Sequence, residues 1–512
     1  MKSRAFVWLG SMPVAACLLM GHLAQAEQRS FTPQAGTWVV SAEVNGKPGR
    51  GLDIDVQGDT FFMQVFDYAA NGEATFHTAT GILKGSIVTA PLVRYQGGRF
   101  FGGDQRDAQE AGSPGNVSIT FENGLKGVVQ FPGESPAVIE RFTLGGTPAD
   151  EGLQAVLATT GKQAMISMVN PASLRSPLGI WHSTLKKSGA VYQLDLKRLR
   201  ADSLRAPSVY ALSYQCQATA DNQWFECSRD AAKEPVGYMP RLRIRYAAGG
   251  VIGVAQMATA PDEVRVVGNV VATDTQGNEC VAASGGCKDA FFPVNGTWVV
   301  ADELNGKPGR GISLDVQSDI AVLQIFNYLD SGASTFHMGS GEYGQGSLEM
   351  DLSRYAGGRY LGGPAQSAHW VQSAGAVQVD FANSTTTSEG LIQFPGEPAK
   401  KMVRLGLDPQ ASPAEALLGH WHIRSTSPQG MTLYAEVILD KVVDGVAWAN
   451  TSGDTYYCRY VSLEQKLVEC TYQTRSSQPK DITSVRFFYD GYTTSSPNVY
   501  KIRDRYGNLL GL

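Results

Sequence analysis

The chain has 512 residues, 43% of them apolar and 18% charged, and a formal net charge of −5. That length is too great for one ordinary core, and the composition excludes a disordered chain. The acidic balance, with no basic run anywhere, argues against nucleic acid or an anionic membrane as partner.

The N-terminus carries an export label. Lys2 and Arg4 precede the apolar run Ala5–Met20, and Ala24-Gln25-Ala26 forms a small-x-small cleavage site, so residues 1–26 read as a secretory signal peptide. The run is broken by Pro13 and is short of a membrane span. No later stretch approaches eighteen consecutive apolar residues, so the mature protein is expected to be soluble, without a transmembrane span, and periplasmic or extracellular. Val14-Ala15-Ala16-Cys17 also matches a lipoprotein box, which leaves a lipid anchor through Cys17 as a second reading. Leu18-Leu19-Met20 weighs against it, because lipoproteins place a polar tether there.

Residues 31–146 form the first unit, A1. Leu52, Ile54 and Val56 alternate with Asp53, Asp55 and Gln57, the period-two pattern of a strand with one buried face. Further strands are expected at Gly36–Val40, Phe61–Tyr68, Ala74–Thr80, Ser86–Arg94, Asn116–Phe121, Gly127–Phe131 and Ala137–Leu144. A meander of about eight short strands usually removes its open edges by closing into a barrel. Gly-Gly, Asn-Gly and Pro-Gly pairs among the 57 glycines supply the turns.

Residues 147–177 change character and read as a linker, with a short helix over Ala149–Thr160. A second kind of unit, B1, spans 178–274 and opens with Gly179-Ile180-Trp181. Residues 275–290 form a Gly/Ser-rich linker. A1 is then written out again. Gly36–Gly103 and Gly296–Gly363 match without a gap at an offset of 260, and 33 of 68 positions are identical. The second copy, A2, spans 291–408. A linker at 409–418 leads to B2, residues 419–512, which opens with Gly419-His420-Trp421 and matches B1 more weakly.

Six cysteines lie beyond the signal, as three close pairs: Cys216 with Cys227, Cys280 with Cys287, and Cys458 with Cys470. With no CxxC-like metal spacing, they read as local disulfides of an oxidising compartment, and the bridge from Cys280 to Cys287 would staple the linker between the halves. The fold class is therefore all-β: a tandem duplication of a two-domain module, giving four small antiparallel β-barrels or sandwiches.

All four units open with Gly-x-Trp, and the last A strand supplies Arg141 in one copy and Arg404 in the other. This resembles the calycin arrangement of lipocalins, fatty-acid-binding proteins and avidin. The resemblance implies a barrel-closing stack of Trp38 with Arg141 and of Trp298 with Arg404. The Thr-Asp-Tyr turn of lipocalins is missing, so no ligand type is implied. The A units are also similar to an exported bacterial repeat with the pattern G-x-W, G-R-G, a Gln-bearing strand, Tyr, then Phe-His. Here those are Trp38, Gly49-Arg50-Gly51, Gln57, Tyr68 and Phe76-His77, repeated at Trp298, Gly309-Arg310-Gly311, Gln317, Tyr328 and Phe336-His337. That likeness implies location and architecture, not a mechanism.

The polar residues kept in both copies are the candidate ligand-binding set: Arg50, Gln64, Tyr68, His77, Arg94, Tyr95 and Arg99, with twins Arg310, Gln324, Tyr328, His337, Arg354, Tyr355 and Arg359. Arginines flanking Gly-Gly can fork onto a carboxylate, sulfate or phosphate, and the tyrosines and histidine suit a sugar or aromatic ring. The same pattern fits a structural reading, in which Gly97-Gly98 turns the chain, the arginines pair with local acids and Tyr95 packs as core. His77 and His337 lack any accompanying nucleophile motif, which favours hydrogen-bonded strand histidines over general bases. His420 and His422 point one way on a strand, but Ile180 replaces the first of them in B1, so no metal or cofactor is expected. The repeated acids Glu43/Glu303, Asp55/Asp315 and Glu134/Glu397 form a glycosidase-like pair only if a barrel mouth brings two together.

The functional expectation is an exported, non-catalytic binding protein that holds a small molecule, glycan or envelope protein. The alternatives are a secreted hydrolase acting on a polymer, and a structural or assembly component of a surface or secretion system.

Overall fold

In the computed structural model the described residues are 29–144, 162–270, 293–408 and 412–510, with short interruptions inside these ranges. The expected helix over Ala149–Thr160 falls outside them.

The strands of A1 are β1 (Gly36–Val40), β2 (Gly51–Gln57), β3 (Thr60–Tyr68), β4 (Ala74–Ile82), β5 (Ile87–Gln96), β6 (Gln109–Glu110), β7 (Gly115–Asn123), β8 (Lys126–Gln130) and β9 (Ala137–Arg141). They run in the order β4-β3-β2-β1-β9-β8-β7-β5-β6, and β4 also pairs with β5. All eight strands expected from alternation are present. Only the two-residue β6 is additional.

B1 consists of β10 (Lys162–Val169), β11 (Pro177–Ser188), β12 (Val191–Arg200), β13 (Ser208–Ala218), β14 (Phe225–Ser228), β15 (Arg241–Ala247), β16 (Gly250–Gln256) and β17 (Glu263–Val270), closed into a barrel. Its first strand corrects the sequence reading, because β10 lies wholly inside the span read as a linker, 147–177. Ala164, Ile166 and Met168 alternate into the core, and β10 closes the barrel by pairing with both β11 and β17. Methionines and alanines hid this strand, since the residues that usually mark strands are β-branched and aromatic.

A2 repeats A1 as β18 (Gly296–Val300), β19 (Gly311–Gln317), β20 (Ile320–Tyr328), β21 (Ser334–Glu342), β22 (Ser347–Ala356), β23 (His369–Asp380), β24 (Glu389–Gln393) and β25 (Lys400–Arg404), a closed barrel. Here β23 is one continuous strand where A1 has β6 and β7. B2 is a seven-stranded sheet of β26 (Gly419–Thr426), β27 (Thr432–Val443), β28 (Val446–Ala449), β29 (Thr455–Ser462), β30 (Leu467–Gln473), β31 (Thr483–Phe488) and β32 (Val499–Arg503), in the order β31-β30-β29-β28-β27-β26-β32. Before it, Pro413–Ala416 makes one helical turn capped by the Ser412 side chain, and Ala416 and Leu417 join the B2 core.

Each A interior is filled by its own apolar side chains. Trp38, Ile54, Phe61, Met63 and Val65 are fully buried in A1, as are Trp298, Leu314, Leu323 and Ile325 in A2. The Gly-x-Trp tryptophans are held alike in three units. The indole N–H of Trp38, Trp298 and Trp421 donates to the carbonyl four residues earlier, Gln34, Val294 and Leu417, at 2.9, 2.9 and 2.7 Å.

Two of the three expected disulfides form, Cys216–Cys227 between β13 and β14 and Cys458–Cys470 between β29 and β30, each joining residues directly opposite in register. The third expected bridge, between Cys280 and Cys287, is not among the disulfides of the described residues. Cys280 and Cys287 both lie outside those residues, in the span 271–292. The two bridges that form fit a non-cytoplasmic protein. Among the described residues no helix is long and apolar enough to cross a membrane. The B units dock on the A pair: Leu125 of A1 packs with Ile252 and Trp224 of B1, and Asn508 of B2 donates to Asp59 of A1 at 2.8 Å.

If β10 is part of the B1 barrel, Ile166→Ala leaves a core cavity and costs about 2–4 kcal/mol. Denaturant unfolding followed at Trp181 or Trp224 measures this. A loop residue in a linker would change stability negligibly.

Candidate functional site

Strand β2 shows where the repeated polar residues go. Alternation predicts one buried face, yet Asp53 and Asp55 on the other face are 0% and 1% exposed. The second face is covered by A2. The two A units pack against each other about a pseudo-two-fold axis, and the main cross-contacts recur with the roles of the copies exchanged, the isologous pattern of a symmetric dimer.

At the centre, Arg141 from β9 forks onto Asp315 of β19 at 2.7 and 2.6 Å. Its twin Arg404 from β25 forks onto Asp55, with Nη2 to Oδ1 at 2.7 Å. The same carboxylates accept the backbone N–H groups of Thr37 and Thr297 at 3.0 and 3.1 Å. Farther out, Gln57 donates to the Leu405 carbonyl at 2.8 Å and Gln317 to the Phe142 carbonyl at 2.9 Å.

These forks correct the implied tryptophan–arginine stack. Trp38 and Arg141 are opposite in register, as are Trp298 and Arg404. The guanidinium, however, passes over the glycine of the Gly-x-Trp motif to reach the other barrel. A Cβ on Gly36 would lie 2.5 Å from Arg141 Nη2, and φ is +117° there. The A-unit glycine is therefore required for the crossing arginine. A basic group does sit over the indole in B2, where Lys501 Nζ of the last strand is 5.2 Å from the Trp421 ring.

Two four-membered ion clusters flank the centre. Arg50 grips Glu43 at 2.7 Å and Glu134 at 2.6 Å within A1, and Arg359 of A2 reaches the same carboxylates at 2.7 and 3.1 Å. The mirror cluster joins Arg310, Glu303 and Glu397 of A2 to Arg99 of A1, whose contacts are 2.8 and 3.0 Å. Each holds two cations and two anions in charge-assisted forks. Burial opposes ionisation of Glu134 and Glu397, but hydrogen bonds from Arg50 and Arg310 outweigh it and hold both below the usual carboxylate range. The six acids Glu43, Asp55, Glu134, Glu303, Asp315 and Glu397 are thereby paired with arginine, at the seam and not in a barrel mouth.

The aromatic part of the seam is equally reciprocal. Phe66, Tyr68, Phe76, Phe326, Tyr328 and Phe336 form one cluster drawn from both barrels. Tyr68 meets Phe336 edge-on at 5.8 Å, and Tyr328 meets Phe76 at 5.9 Å. Each tyrosine ring lies on the other copy's Gly-Gly turn: a Cβ on Gly98 would be 2.0 Å from the Tyr328 ring, and one on Gly358 2.0 Å from Tyr68. Burial raises the pKa of both phenols. Backbone bonds lock the turns, Gly97 N–H to Gly332 O at 2.8 Å and Gly357 N–H to Gly72 O at 2.7 Å. The loops then insert side chains into the partner barrel, Phe101 against the A2 core and Leu361 against the A1 core.

His77 and His337 lie beneath this seam. His77 Nδ1 is 3.1 Å from Asp67 Oδ1, and His337 Nδ1 is 3.0 Å from Asn327 Oδ1. Burial first, then the Arg354 charge, push His337 down to about 4, so it is neutral in the fold. Arg354 pairs with Glu73 of A1, whereas Arg94 is exposed and donates to the Ala111 carbonyl at 2.9 Å. Tyr95 and Tyr355 are half-buried against the aromatic cluster. Among the described residues no group of three potential metal ligands occurs. Most of the candidate ligand set thus gathers at the seam between the two copies: Arg99, Arg359 and Arg354 pair with acids of the other copy, whereas Arg94 is exposed on a backbone carbonyl and Tyr95 is only half-buried. Recurrence of arginines and glutamates in matched numbers was the available signal.

No protein-family model matches the chain, and no curated protein matches it. A search of solved structures returned a Helicobacter pylori beta clamp in complex with Carprofen. It is 9% identical, covers 70% of this chain and 92% of its own, and has a TM-score of 0.08, which carries no argument. What the fold defines is a class: an all-β protein of tandem barrel modules, closed on itself through an internal two-fold.

Two expected outcomes test this geometry. Gly98→Ala must displace the Tyr328 ring, and Arg141→Ala strands a buried Asp315. Each should lower A-unit stability by about 3–5 kcal/mol in denaturant melts. The folded pKa of His337 lies below its unfolded value, so its contribution is present above about pH 6.5 and is lost as pH falls towards 4, by about 3 kcal/mol. Urea midpoints of the wild type and His337→Gln, compared from pH 7 to 4, should show the wild type losing this stability relative to the variant.

Proposed function

We propose that this is an exported, non-catalytic structural or assembly protein of the cell envelope or extracellular space. In this reading the paired A barrels form a rigid platform and the B units are the modules it presents. One observation carries the reading: the repeated residues Arg50, Arg99, Arg310, Arg359, Glu43, Asp55, Glu134, Glu303, Asp315 and Glu397, with Arg141 and Arg404, are joined in ion pairs that tie the two copies together. Their recurrence then has a sufficient cause in self-association, and needs no ligand. The filled A interiors support the same reading over a cup that encloses a small molecule or glycan. The arginine-bound state of Glu43, Asp55, Glu134 and their twins speaks against a hydrolase that uses these acids, since a general acid needs a carboxyl free to give up a proton. The signal-like residues 1–26 and the two disulfides support export.

Two measurements test it. The mature chain should begin at Glu27 and be recovered outside the cytoplasm; retention of residues 1–26 on a cytoplasmic protein would defeat the export reading. In a thermal-shift screen of glycans and small molecules, Arg99→Ala and Arg359→Ala should lower the midpoint by several degrees without abolishing any ligand response. A ligand whose effect vanishes in Arg99→Ala at unchanged stability would return the seam to a binding site.

A further inference from the structure

The pseudo-two-fold is broken at its most enclosed point. Asp53 of A1 corresponds to Ser313 of A2 at the offset of 260. Asp53 is fully buried on β2, and its surroundings are the seam's central cluster. Its own strand contributes Asp55; β3 places Gln64 opposite it in register; β18 contributes Thr297, whose hydroxyl donates to Oδ2 at 3.3 Å. From A2 come Ser313 and Asp315 on β19 and Arg404 on β25, with Arg141 of β9 behind Asp315.

The charge count there is uneven. Arg141 and Arg404 are matched by Asp315 and Asp55 in two forks whose side chains are at most 2% exposed. The cluster is neutral before Asp53 is considered. Oδ1 of Asp53 has no hydrogen-bond partner, although the Ser313 hydroxyl faces the carboxyl and favours its charged form. An ionised Asp53 therefore places one uncompensated negative charge between two others, sealed from water, while a protonated one leaves the cluster neutral.

We propose that Asp53 makes the A1–A2 seam a pH-responsive clamp, closed while this carboxyl holds its proton and loosened when the proton is released to solvent. Burial is the main influence and pushes Asp53 up to about 7; the Ser313 hydroxyl and Arg404 oppose the rise, while Asp55 and Asp315 add to it. The folded value exceeds the unfolded value of 3.8, so the stabilisation is fully present below about pH 4 and is lost as pH rises through 7. His337, Glu134 and Glu397 act in the opposite direction, losing stability as pH falls. The clamp is thus read from a difference between two proteins that share them.

The test uses hydrogen exchange of the full mature chain and of Asp53→Asn. The reporters are the Thr37 and Thr297 amides, which donate across the seam to Asp315 and Asp55. After correction for intrinsic exchange, wild-type protection should fall by about a hundredfold relative to Asp53→Asn between pH 5 and 8.5. Equal pH dependence in the two proteins overturns the proposal. Should Asp53→Asn fail to fold, Asp53→Ser, which copies the A2 twin, takes its place. Carboxyl-carbon NMR gives an independent reading: an aspartate signal that titrates near pH 7 in the wild type and is missing from Asp53→Asn supports the clamp, and the lack of any such signal overturns it.

Discussion

Arg141 on Asp315 and Arg404 on Asp55 are ion pairs removed from water, each spanning two barrels that sit 260 residues apart in the chain. A buried pair of this kind adds little over an apolar pair of equal shape, because desolvation offsets most of the attraction. Breaking one partner is costly, since the other is left charged and unsolvated. The pairs therefore act on specificity: only one relative placement of A1 and A2 satisfies both forks. The remaining seam contacts follow from that placement, including the flanking ion clusters, the tyrosines on the Gly-Gly turns and the inserted Phe101 and Leu361.

The same constraint accounts for sequence features that looked unrelated. The glycine of Gly-x-Trp leaves room for the crossing guanidinium, and the second glycine of each Gly-Gly turn receives a tyrosine ring. The Arg50–Glu43–Glu134 triad is assembled within A1 and completed by Arg359 of A2. Duplication in one chain makes the pairing intramolecular, so the seam does not depend on protein concentration, unlike that of an obligate dimer. It also frees the two copies to diverge, as Asp53/Ser313 and Asp67/Asn327 have done.

On function, the geometry shifts weight among the readings. Repetition of Arg, Tyr and His in two copies is equally compatible with two ligand sites and with one self-complementary seam. What separates them is the destination of each polar atom, and here the carboxylates and guanidinia meet one another. A structural or assembly role is the reading that accounts for the paired arginines and acids of the seam without a ligand.

Much of the fold was legible in the chain. Period-two alternation located the A1 strands, glycine pairs placed the turns, and the gapless match gave the duplication. Close cysteine pairs gave two cross-strand disulfides, while the pair Cys280 and Cys287 lies outside the described residues. The strand Lys162–Val169 was not legible, because two of its three buried positions are Ala164 and Met168, and such residues serve helices as well as strands. The site was half legible: its members could be listed, but not their partners. Alternation marks a strand's second face as polar without saying whether water or another barrel covers it. The amino-acid sequence by itself determined the order of the units and the strands of A1, because those depend on contacts between neighbouring strands. Only the tertiary structure decided that Asp53 and Asp55 are buried and that Arg99 pairs in the other copy, because those depend on the docking of surfaces hundreds of residues apart.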